Sequence, residues 1–511
     1  MENISVGNFR ALLIGAVGLL FAVLLGWFIG SESYVSLALV TVTVIGLFIS
    51  FFMGRFFWVV TIASSFLGGT FPFLGGAFSP FQILTLIGVA KFIVEDVVMR
   101  RTRTMPKDRF DLLMIAGFMG VLTFHAFDDR FGMRFLGSEV WGGHNYVNAY
   151  VGLAAFLVVL SIPMQPKVWA RLPYVILAVT TFDLLIAVIT TISPSLIFKI
   201  YPFYSAVSVT GIEEALTGES ITGRIGSFGN FGFILILIVL ASIPLWQILN
   251  PKNLLRFICI IIGSVAVLVS GFRSVVANTV IAFLAAGVRD LKYAIVLLLP
   301  FLAFGLFALS FINSEVFQLP KQVQRGLAFL PGKWDAEMAR DAANSNDFRR
   351  RVWTLWAREY FPVHPWVGRG FGFKSAWAKP SVYDPKGIDY RATVEVQNIH
   401  NGLFATLDTF GIVGTIFFVL WNLGILARTF RVSFQRTDAG GMVLRFLALY
   451  LTVSIISFWL GAQNIGSFLP QEFAVVAVFL RLRHAIESKS MPMLSSEADV
   501  NGGMREELAG V

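Results

Sequence analysis

Three polar groups stand out in an otherwise oily chain: Arg224 in ITGRIGSFGNFGF, Arg273 in LVSGFRSVVAN and His400 in QNIHNGLFATLDTFGIVG. Guanidinium carries a permanent charge on a planar fork of donors, so two arginines in company fit a diphosphate. Imidazole titrates near neutral pH and can take a proton from a hydroxyl there. Together the three make one chemical set: two fixed cations for a diphosphate and a base that works near neutral pH. Taken singly, each has a plainer reading. Arg273 interrupts an apolar hairpin, 257–288, where a charge is expensive unless paired or functional, but an interfacial arginine can also reach for lipid phosphate. Arg224 lies in a loop that is polar anyway, and His400 between Asn398 and Asn401 reads equally as a capped histidine at a helix start and as a base.

For such groups to converge, the chain must bring distant segments to one place, and its composition says in what solvent. It has 511 residues, 56% of them hydrophobic and only 14% charged, too little polar surface to cover a soluble globule. Mean hydropathy is +0.74. A hydrocarbon core of about 30 Å takes roughly 20 apolar residues per helix. Runs of that kind lie at 11–30, 34–53, 57–78, 81–98, 110–127, 146–162, 172–192, 228–248, 257–272, 274–288, 293–312, 402–426, 442–460 and 468–480. The expectation is an all-α polytopic membrane protein with about 14 transmembrane helices (roughly 12–14). Eleven helices fall in 1–312, a large loop in 313–399, three more helices in 400–482, and a polar tail, expected to be disordered, in 483–511. The glycines and proline at Gly68, Gly69, Pro72, Gly75 and Gly76, and the turn at Gly271, predict broken or re-entrant helices. With only Arg10 before it and no small-residue cleavage pattern after it, the first span is expected to be retained. The single cysteine, Cys259, can make neither an internal disulfide nor a cysteine-based metal site.

Lysine and arginine in short loops favour the cytoplasmic side. With the N-terminus inside, MRRTRTMPKDR, QPKVWAR, NPKNLLR, VRDLK and ARTFRVSFQR all face the cytoplasm, and the C-terminus follows them. The net charge of +9 then reflects topology, and no basic, aromatic face of a soluble domain points to nucleic acid. Arg224, Arg273, His400 and the loop 313–399 fall on the outer side.

That loop contains NDFRRRVWTLWAREYFPVHPWVGRGFGF, in which Trp353, Trp356 and Tyr360 recur at helical spacing and predict a helix lying on the membrane surface. Arg351 and Arg369 are candidate substrate contacts, and Asn401 a candidate orienting group. Glu395 could orient His400 through a carboxylate hydrogen bond, or be a loop acid. In GRGFG, Gly368, Gly370 and Gly372 could admit a phosphate to backbone amides or simply make a turn. Asp408, inside an apolar span, is expected to face protein. Asp128 and Asp129 sit beside Arg130 and read as helix-end solvation, Glu213 and Glu214 as loop surface, and no D-x-D pattern invites a metal. His125, His144, His364 and His484 have no comparable company.

These residues resemble the O-antigen ligase and polysaccharide polymerase superfamily of bacterial membrane glycosyltransferases. The resemblance covers about 220–425: Arg224, Gly226 and Asn230; Ser270, Arg273 and Ser274; RRRVWTLW and HPWVGRGFG; then His400, Asn401, Gly402 and DTFGIVG. Phe272 departs from the Ser or Thr common before the arginine. The resemblance implies a helical glycosyltransferase of the C type in the bacterial inner membrane. It implies an undecaprenyl-diphosphate-linked glycan as donor, a periplasmic site, inversion, and no metal or cofactor. His400, Arg273 and Arg224 would be catalytic.

Polymerisation of repeat units is the first expectation, since no device for recognising a lipid A core or a protein acceptor is visible. Ligation to lipid A core is second and protein glycosylation third. A chain-length regulator or export proteins are possible partners. A flippase for lipid-linked oligosaccharides would also suit many helices, but predicts a charged central cavity and two similar halves, neither of which is apparent.

Overall fold

The computed structural model of the chain describes residues 41, 45–46, 48–72, 78–98, 109–132, 138, 141–205, 226–291, 295–373, 390–434, 441–461 and 464–487. The main helices are α1 (Phe56–Ser64), α2 (Pro80–Phe92), α3 (Arg109–Asp128), α4 (Gly143–Ser161), α5 (Leu172–Ile192), α6 (Gly226–Ser242), α7 (Leu254–Val269), α8 (Arg273–Leu291) and α9 (Ile295–Phe311). In the long loop come α10 (Lys321–Leu327), α11 (Ala336–Leu355) and α12 (Tyr390–Glu395), followed by α13 (Gly402–Phe434), α14 (Gly441–Leu460) and α15 (Ile465–Glu487). The chain is a multi-pass α-helical membrane protein.

Seven helices among the described residues are long and apolar enough to cross a membrane, fewer than the fourteen expected; two shorter apolar helices, Gly226–Ser242 and Leu302–Val316, accompany them. Part of the shortfall is physical. A hydrophobic run counts apolar residues across breaks: 57–78 gives only nine-residue α1, and 81–98 gives thirteen-residue α2 followed by a wider π turn. The expected span 11–30 lies outside the described residues.

After α1 the backbone leaves the helix, and buried protein groups satisfy it. Gly68 N donates to Asp183 Oδ2 at 2.8 Å, and Tyr204 Oη donates to Asp183 Oδ1 at 2.6 Å. This is the condition under which irregular backbone is tolerated at membrane depth. Lipid shapes the outer helices differently. On α7, Ile258, Ile261, Ile262 and Val265 make an exposed apolar stripe, while Gly263, Ala266 and Val267 are buried. A Cβ on Gly232 of α6 would run into the Gly263 carbonyl, so small residues set this close helix pair. At the centre α15 has 83% of its apolar window buried, against 22% for α7. An aromatic cluster of Phe118, Phe418, Trp421 and Phe473 joins α3, α13 and α15.

The long loop has its own small core of Val352, Trp356, Tyr360, Tyr390, Val394 and Ile399. This corrects the expected surface helix. Trp356 and Tyr360 are 3% and 6% exposed, so their helical spacing marks the packed face of α11 and its continuation instead of a membrane anchor.

Candidate active site

His400 stands at the junction of the loop with α13, in a left-handed conformation with φ of 54°. A non-glycine residue there is strained, and such strain persists only where neighbours over-determine it. They do so here from both sides. Trp353 Nε1 donates to the Ile399 carbonyl at 2.8 Å, Asn398 N to Thr393 O at 3.0 Å, and Gln397 Nε2 to Gly370 O at 2.6 Å. Asn401 caps α13, its Oδ1 accepting from Phe404 N at 3.1 Å. Its side chain therefore helps fix the start of the helix that follows His400.

Arg273 opens α8 just after Gly271, whose φ of 71° makes the turn from α7. Its Nη2 donates to the Ala342 carbonyl of α11 at 3.3 Å. Burial and the nearby Arg349 guanidinium both push its pKa down, while Asp341 pulls the other way. Asp341 already pairs with Arg325 at 2.7 Å. Arg273 thus feels two guanidiniums and one carboxylate, a local excess of positive charge that an anion would relieve. Ala342 and Arg349 are seven residues apart on one face of α11, and Phe348, next to Arg349, packs its ring against the His400 imidazole at 6.2 Å. Ala342 and Phe348 are separated by about 9 Å along the helix axis. One helix therefore touches both groups.

Arg224 lies outside the described residues. The stretch that follows it packs on the Arg273 turn: a Cβ on Gly229 would meet Ser270 and Val275 at 3.2 and 3.1 Å, and Gly226 faces Phe272. The start of α6 and the Arg273 turn are neighbours.

His400 lines a cavity of about 650 Å³ between the ends of the helices. Asn230 of α6, Asn278 of α8, Asn148 and His144 of α4, and Asn398 line it too. Sequence reasoning left His144 without company and gave Asn278 no role. Each is an ordinary polar residue near a helix start, and only their convergence marks them. Arg349 was legible as one of three arginines at 349–351, but nothing in the sequence separated it from its neighbours. Arg351 instead pairs with Asp347 at 2.8 Å and is half exposed, beside Tyr390.

Arg369, Asp408 and Glu395 come together around a break in α13. α13 breaks at Gly411, with φ of 62° and ψ of −168°, a conformation confined to glycine. The segment 365–370 fills the break and satisfies its backbone. Ile412 N donates to Pro365 O at 2.8 Å, Val413 N to Trp366 O at 3.0 Å, Arg369 N to Asp408 O at 2.7 Å and Gly370 N to Thr409 O at 3.0 Å. The GRG glycines are thus the turn reading, not a phosphate cradle: a Cβ on Gly368 would collide with Gly411 N and the Thr409 carbonyl. Arg369 grips Asp408 through Nε and Nη2 at 3.0 and 2.7 Å, donates to Val394 O and lies 3.5 Å from Glu395. Trp356 Nε1 also donates to Asp408, and Tyr360 Oη to Glu395 at 3.0 Å. Arg369 and Glu395 border a separate hollow with His125, Asp128 and Asp129, not the His400 cavity. There Asp129 accepts from Tyr146 Oη at 2.6 Å, and that hydroxyl in turn accepts from Phe371 N at 3.0 Å.

No curated protein matches the chain in a sequence comparison. Residues 257–419, which take in Arg273, Arg349, the whole long loop, His400 and the break in α13, match the family model described as O-antigen ligase, and it is on this part of the chain that the likeness to the O-antigen ligase and polymerase superfamily stands.

Proposed function

We propose that the chain is a membrane glycosyltransferase of the C type that takes a glycan from an undecaprenyl diphosphate carrier and joins it to an acceptor hydroxyl, polymerising the repeat units of an O-antigen or exopolysaccharide. The observation that carries this reading is the bridge made by α11, which holds Arg273 through Ala342 and meets His400 through Phe348, with His400 opening on a polar cavity. In the proposed step the acceptor oxygen bonds to the anomeric carbon while the bond from that carbon to the phosphate oxygen breaks. His400 takes the acceptor's proton, and Arg273 and Arg349 stabilise the charge that grows on the leaving diphosphate. Arg224 is proposed as a further cation for the same group. A single displacement inverts the anomeric centre. Guanidinium supplies the fixed charge, so the step calls on no metal.

The Lys and Arg distribution supports cytoplasmic termini and a site on the outer side, and the family likeness supports reading that side as the periplasmic face of a bacterial inner membrane. Ligation of the finished glycan to lipid A core is the second reading, and the description of the matching family favours it. Proteoliposomes given an undecaprenyl-diphosphate oligosaccharide and a chelator test the class. Glycosidic bonds form with the native protein and fail with His400→Ala at equal protein level. Translocation of the oligosaccharide without new bonds would make it a flippase. A deletion strain then separates the two readings: single repeat units on the carrier mean a polymerase, long chains still on the carrier a ligase.

A further inference from the structure

The cavity wall between α14 and α15 is backed by a carboxyl group that the reaction above does not use. Glu472 is 1% exposed, and neither of its carboxyl oxygens meets a hydrogen-bond donor at bonding distance. A buried polar group without a partner is costly, and an ionisable one at membrane depth is retained where function uses it. Its polar neighbours are Tyr450 and Ser454, four residues apart on one face of α14, with Ser454 approaching without closing a full hydrogen bond. Both line the cavity, as does Gln471 immediately before Glu472. Phe66 packs on the Tyr450 ring at 5.0 Å between centroids and holds its plane.

The lining says what would enter. Asn148, Asn230, Asn278 and Asn398 bring carboxamides, and no Asp, Glu, Lys or Arg side chain lines the cavity among the described residues. Such a wall has no full charge to offer an ion. It has paired donors and acceptors, which suit hydroxyls that both donate and accept. The volume, about 650 Å³, is in the range of small-molecule sites.

We propose that this cavity is the subsite for a neutral sugar unit of the acceptor, and that Glu472 is its positioning residue, orienting the Tyr450 and Ser454 hydroxyls toward the sugar. The proposal rests on the glycosyltransferase reading and names the part of the substrate the cavity takes. Tyr450 and Ser454 neighbour the carboxyl group and also line the cavity, so a hydroxyl drawn toward the carboxyl group keeps its other hydrogen-bonding capacity for a sugar.

The test uses the full chain in lipid nanodiscs. The probe is the repeat-unit oligosaccharide released by mild acid from the host's own carrier lipid, with binding followed by saturation-transfer NMR. The native protein and Glu472→Gln should bind alike, because an amide offers the two hydroxyls a polar neighbour of the same shape. Glu472→Leu should bind about tenfold more weakly and raise KM for the acceptor by about the same factor, with kcat, the pH–rate profile and the unfolding midpoint unchanged. Should Glu472→Leu not fold, Tyr450→Phe with Ser454→Ala carries the same expectation. Native affinity and KM in these variants, or no binding by the native protein, would overturn the subsite. Binding without any glycosidic bond formation by the native protein would sink the transferase reading while leaving the subsite standing.

Discussion

Two clusters of charged and polar groups lie along the long loop, built on opposite terms. Around Arg369 the guanidinium meets two carboxylates and a carbonyl, and Asp408 receives both Arg369 and the Trp356 indole. Arg273 donates one 3.3 Å bond to a carbonyl, with a second guanidinium, Arg349, nearby, and His400 opens on a cavity. The first arrangement spends its donors within the protein and holds the broken helix α13 against the loop. The second gathers positive charge that a single carboxylate offsets, on the helix that also meets His400.

Breaking the first cluster should cost most. Arg369→Ala leaves Asp408 buried without its cation, and removing one partner of a buried pair typically costs about 3–5 kcal/mol. Denaturant or thermal unfolding in detergent should show that loss, with Asp408→Ala giving a similar one. Arg273→Ala should leave the unfolding midpoint in place and lower transfer by about 10²–10³, the usual range for removing one preorganised donor to a developing anion. A midpoint that falls with activity would move Arg273 into the scaffold. Gly411→Ala forces a side chain into a glycine-only conformation against Trp366, and should cost about 1–3 kcal/mol, read in the same unfolding experiment.

The smallest effect is one of pH. Burial raises the Asp129 pKa above the ordinary 3.8, against the lowering by the Tyr146 hydrogen bond and by His125. The folded state therefore holds the proton more tightly than the unfolded one. Stability is highest below 3.8 and falls as pH rises through the folded pKa, then levels off. Asp129→Asn should flatten this dependence in unfolding curves taken across the acid range.

Much of the helical frame was legible. The expected spans 110–127, 172–192 and 442–460 meet α3, α5 and α14 within a residue at each end, because a long apolar run whose backbone bonds all close within one helix has one solution in lipid. The break in α13 was not legible. Gly411 looks like any glycine in an apolar helix, and what makes it special is Pro365 and Trp366, more than forty residues earlier, filling the gap. Likewise Trp356 and Tyr360 showed a helical face but not what covers it, since Tyr390 and Val394 reach them from beyond the next turn of the chain. His400 and Arg273 stood out as candidates because charge and imidazole are conspicuous beside apolar helices. His144, Asn278 and Glu472 were not: their meaning comes from the cavity that several helix ends enclose.

The most direct test sets His400→Ala beside Arg369→Ala in one preparation, measuring transfer per folded molecule together with the unfolding midpoint. The expected result is a loss of transfer of about 10²–10⁴ at an unchanged midpoint for His400→Ala, and a lowered midpoint with near-native transfer by the remaining folded molecules for Arg369→Ala. Normal transfer by folded His400→Ala, or lost transfer by folded Arg369→Ala, would contradict the division between a site that reacts and a clasp that holds.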